Sequence, residues 1–61
     1  MEEVIKVLED KITEMINNRY VYLEIKRVPD YSTNIQVERM IKYYSEKIEM
    51  FNRAIEMLKT E

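Results

Sequence analysis

Six carboxylates fall into two clusters. Glu9, Asp10 and Glu14 lie in the first half of the chain, and Glu46, Glu49 and Glu56 in the second. Carboxylates gathered this way can hold a metal ion or move a proton. Helical di-metal sites, however, combine inward-pointing Glu residues with Glu-x-x-His pairs, and the chain has no His. It also has no Cys, so neither a thiolate nucleophile nor a Cys-ligated metal is available. With no Gly it lacks the residue that lets phosphate-cradling loops approach a nucleotide closely. No catalytic residue, metal or cofactor is assigned, and the carboxylates read as a solvated charged face.

Two basic residues stand apart because they interrupt apolar stripes. Arg19 is a candidate anion contact, and Lys47 lies at a candidate interface. Burying either charge unpaired would be costly. The bland alternative is that their long stems reach the rim, or pair with a carboxylate such as Glu46 or Glu49 on a neighbouring helix.

The elements that would position these groups are two helices. Val4, Ile5, Leu8, Ile12, Met15, Ile16, Tyr22 and Leu23 recur at spacings of three and four, with Arg19 inside the stripe, predicting a helix over about 3–27. Glu2 and Glu3 at its start, and Lys26 and Arg27 at its end, have the signs that the helix dipole favours. Pro29 disfavours helical geometry at Val28 and removes a backbone donor, so the chain is expected to turn over about 28–33. Thr33 followed by Gln36 matches a capping box, with Ser32 and Asn34 as alternative caps. A second helix then runs over about 34–60. Val37, Tyr44, Phe51 and Leu58 repeat at sevens beside Ile41, Ile48 and Ile55, with Met40 and Ala54 between the rows.

A further row, Tyr43, Met50 and Met57, widens the apolar face of the second helix beyond what one neighbour can cover. On the first helix, Val21, Ile25 and Val28 turn away from the main stripe. Leaving the three large side chains of the second helix in water would forgo about 1.5–3 kcal/mol each. The total is comparable with the ~5–15 kcal/mol that holds a whole domain together. The expected architecture is therefore a single all-α domain, an antiparallel two-helix hairpin that dimerises into a four-helix bundle. Its interface is expected to use Val21, Ile25, Val28, Tyr43, Lys47, Met50, Ala54 and Met57.

The stretch from Leu8 through Glu9, Asp10, Lys11, Ile12, Thr13, Glu14, Met15, Ile16, Asn17 and Asn18 to Arg19 resembles the first helix of the AroQ-type, all-helical chorismate mutases. The resemblance implies an intertwined dimer in which Arg19 binds a substrate carboxylate. Extended without gaps, it places the family's other basic site positions at Glu2 and Asp30, where the charge is reversed. The 61-residue chain is also short for the family's third helix.

Nucleic-acid contact is the other alternative. Arg19, Tyr20, Tyr22, Lys26, Arg27 and Tyr31, with Arg39, Lys42, Tyr43 and Lys47 on the second helix, supply stacking and phosphate-binding groups. Against it stand Glu24, Asp30 and Glu38 in the same regions and a net charge of −2. No apolar run is long enough to span a bilayer and no signal peptide is evident, so a cytoplasmic, soluble protein is expected. The bias toward Phe, Tyr, Met, Ile, Asn and Lys is that of A/T-rich coding, as in some viruses and mobile elements. The reading that fits most features is a small non-enzymatic homodimer, a regulator, inhibitor or adaptor, that binds another protein. A nucleic-acid accessory protein and a bundle enzyme using Arg19 follow, in that order.

Overall fold

The computed structural model describes residues 2–60. The described residues form an antiparallel hairpin of two α-helices and no strands: α1 over Glu2–Lys26 and α2 over Ile35–Lys59. A short 3-10 turn, Pro29–Tyr31, lies between them.

Helix α1 ends by tightening. The Arg27 N–H donates to the Glu24 carbonyl and the Val28 N–H to the Ile25 carbonyl, which satisfies carbonyls left over at the helix end. Val28 is extended, as the following proline requires. The cap of α2 is Asn34, not Thr33. The Asn34 side-chain oxygen accepts from the backbone N–H groups of Gln36 and Val37 at 2.9 and 3.2 Å. Thr33 is excluded from this role because it sits inside a turn closed by the Asn34 N–H donating to the Tyr31 carbonyl. The sequence pattern had no signal for that extra turn.

Register is fixed by contacts between the helices. Lys26 Nζ lies 3.7 Å from Glu38 Oε1, the Tyr22 and Tyr44 rings are 5.9 Å apart, and Arg19 Nη1 donates to Ser45 Oγ at 3.1 Å. From Lys26 back to Arg19 is seven residues on α1, and from Glu38 on to Ser45 is seven on α2, so the two helices keep level over that span.

The core is thin. Only Val37 and Ile55 are buried among the described residues, each 7% exposed, and no side chain is fully enclosed. Around them Ile5, Leu8, Ile12, Met15, Arg19 and Tyr22 of α1 are half-buried, as are Ile41, Tyr44, Ile48, Phe51 and Leu58 of α2. Val4, Ile16 and Leu23, expected in the α1 stripe, are exposed. A 3.6-residue period puts the half-buried set at the middle of the contact and these three on its flanks, where a single neighbouring helix does not reach. The hairpin measures 47 × 14 × 12 Å between Cα atoms.

Candidate interaction face

The two sides of the hairpin differ. One carries the polar cross-links, Arg19 with Ser45 and Lys26 with Glu38. The same helical period places Asn52 and Thr13 on that side, with the exposed Ile16 and Leu23 of α1.

The other side carries an apolar row on α2, faced on α1 by valines interspersed with Lys11, Glu14 and Asn18. Tyr43, Met50 and Met57 of α2 are 47%, 49% and 71% exposed. The register sets Val21 of α1 level with Tyr43 and Val7 level with Met57, and both valines are exposed. Along this edge of α2, Met50, Ala54 and Met57 line an open groove with Glu46, Glu49 and Arg53 at its rim.

Of the residues expected at an interface, Val21 and Val28 of the first segment and Tyr43, Met50 and Met57 of the second are exposed. Lys47 and Ala54 are half-buried where this face meets the core. Ile25 is half-buried rather than turned outward, because the last turn of α1 folds back toward the Pro29–Tyr31 segment. Val7 was not singled out from the sequence. Its place seven residues before Glu14 and fourteen before Val21 is the signal that could have found it.

The charges on this side are arranged distinctly. Glu14 stands level with Met50, in the middle of the apolar face, and its Oε2 lies 3.7 Å from Lys11 Nζ. The Lys47 ammonium rests 5.5 Å from the Tyr43 ring centroid. The negative face of that ring attracts a cation, worth about 0.5–1 kcal/mol at exposed sites. Among the described residues no carboxylate lies within ion-pair distance of Lys47 or of Arg19. Lys47 is thus a half-buried residue whose one charge contact among the described residues is the Tyr43 ring.

Several residues named for nucleic-acid contact are engaged with carboxylates: Lys26 with Glu38, Arg27 with Glu24 at 3.5 Å, and Lys42 with Glu46 at 4.0 Å. These contacts neutralise much of the positive field a polyanion would need. Among the described residues no three His, Cys, Asp or Glu side chains gather in a geometry that could hold a metal ion. None of the described helices is long and apolar enough to cross a membrane. No protein-family model, curated protein or solved structure matches the chain.

Proposed function

We propose that the chain is one half of a symmetric homodimer, a four-helix bundle, and that the dimer acts by binding another protein rather than by catalysis. The observation that carries this reading is the mismatch between what the hairpin buries and what it leaves in water. Among the described residues two are buried, while twelve large apolar side chains are exposed.

Surface area supports it. The hairpin exposes 5020 Å². A compact chain of 7.5 kDa would expose roughly 4,200 Å². The excess is close to the ~800 Å² that one partner contributes to a standard protein interface. The radius of gyration points the same way, at 14.2 Å against about 10.5 Å for a compact chain of this length. A rod two helices wide becomes a bundle of ordinary proportions when a second copy covers its apolar face.

Covering that face leaves Ile16 and Leu23 of α1 on the opposite side, with the exposed Tyr20 beside them. These are the residues we assign to the further protein partner. Tyr combines a large apolar ring with a polar tip, a composition that suits interfaces.

Sedimentation equilibrium at micromolar concentration tests the dimer, with a folded monomer refuting it. For the partner, a host extract is passed over the immobilised dimer and over its Leu23→Glu variant. A protein retained by the first and released by the second, with both baits still dimeric, supports the reading. Retention of nucleic acid alone refutes it.

A further inference from the structure

Resting on that dimer, the orientation of the two hairpins follows from which side chains stand level on the apolar face. Val7 and Val21 are the small ends of the α1 row, with Glu14 between them. The large ends of the α2 row are Met57 and Tyr43, with Met50 between them.

A two-fold axis can close such a face in two ways. Lying across the helices, it sets α1 on α1 and α2 on α2, with the turns at opposite ends. Small side chains then meet small ones, large meet large, and Glu14 meets its own copy on the axis. Lying along the helices, it sets α1 of each copy on α2 of the other, with the turns together. Val7 and Val21 then each meet a Met or a Tyr, the alternation of size that packed interfaces favour.

The charges favour the second closure. Lys47 lies three residues from Met50, a rise of about 4.5 Å along the helix. Glu14 of the second copy stands at the Met50 level, within reach of the Lys47 side chain. The cation without a carboxylate in the lone hairpin thereby gains one. The alternative sets two carboxylates against each other on the axis, the kind of like-charge contact that suppresses wrong pairings.

We propose that the dimer packs α1 of each copy on α2 of the other with both turns at one end, and that Glu14 and Lys47 pair across the interface to set this orientation.

The chain has no cysteine, so Thr33→Cys, in the exposed turn, takes a single spin label. Pulsed dipolar spectroscopy on the full-chain dimer is expected to give a distance of about 20 Å, two helix diameters. A distance near the 47 Å length of the hairpin would overturn the orientation and leave the dimer standing. A monomer in sedimentation would remove the dimer itself, and the orientation with it. A charge exchange is the second test. Glu14→Lys and Lys47→Glu should each weaken the dimer about tenfold in Kd, and the double exchange should recover most of the loss. A double variant no better than the weaker single one would overturn the pairing.

Discussion

Arg19 donates from Nη1 to the Ser45 hydroxyl at 3.1 Å, a bond that joins the two helices between residues 26 apart in sequence. It is a side chain–side chain link at a half-buried position. The guanidinium sits there beside a neutral acceptor, with no carboxylate within ion-pair distance among the described residues. Taking a charge partly out of water has a cost that one hydrogen bond to a neutral hydroxyl offsets only in part, and an apolar side chain of similar length avoids that cost. Arg19→Met is therefore expected to leave the thermal midpoint unchanged or raise it, as followed by circular dichroism. Ser45→Ala, which removes only the acceptor, should cost about 1 kcal/mol. A large loss of stability in Arg19→Met would show that the guanidinium has a stronger partner than Ser45.

The thin core concentrates sensitivity at two positions. Among the described residues Val37 and Ile55 are the buried ones, one near the turn and one near the open end of the hairpin. Ile55→Ala should cost at least about 2 kcal/mol, the lower end of what large-to-small changes cost in closed cores. The same truncation at Ile35, an exposed residue in the first turn of α2, should cost much less. Urea unfolding of the two variants makes the comparison, and equal losses would mean that Ile35 is covered in the native assembly.

Met50 decides whether the apolar face is an interface. It is 49% exposed at mid-length of α2, so a Glu there is harmless to a lone hairpin and ruinous to a packed bundle. Met50→Glu is expected to shift the sedimenting species from dimer to monomer at micromolar concentration and to lower helicity. Asn52→Glu, two residues on and on the polar side, should do neither. A fully dimeric, fully helical Met50→Glu protein would place the contact elsewhere.

Asn34 holds the start of α2 through two bonds from its side-chain oxygen. Loss of such a cap typically costs about 1 kcal/mol. Asn34→Ala should therefore lower the unfolding free energy by about that amount, while Thr33→Ala should be close to neutral. The reverse order would restore Thr33 as the cap.

The helices and the turn were legible because the signals that set them are local: spacings of three and four, Pro29, and charges of the right sign at the ends. The cap shifted by one residue because Pro29–Tyr31 winds into a 3-10 turn, which depends on how the backbone folds back and not on residue type alone. The inner face of α1 was blurred for a different reason. Its apolar residues extend from Val4 to Leu23 around more than half of the helix, so periodicity alone could not separate Ile12, in contact, from Ile16, on the flank. On α2, by contrast, the strict seven-residue rows marked both the inner face and the Tyr43–Met50–Met57 row. Where the side chains of two helices stand level was invisible until the register was fixed by Arg19 with Ser45 and Tyr22 with Tyr44.

Lys47 separates affinity from orientation. It lies half-buried over the Tyr43 ring, where a second hairpin would close off much of its remaining water. Desolvating the ammonium opposes association even when Glu14 of the second copy answers it, and apolar replacements of buried ion pairs are often neutral or stabilising. A polar group at one interface position can nevertheless fix register and partner geometry at a cost in stability. Exchanging Lys47 and Glu14 together for Met should therefore keep or strengthen the dimer in sedimentation while loosening its choice of orientation. With a spin label at Thr33→Cys, that loosening would be read as a second distance near the 47 Å length of the hairpin, beside the short one. A single short distance in the double Met protein would mean that the fit of Val7 and Val21 against Met57 and Tyr43 sets the orientation without help from charge.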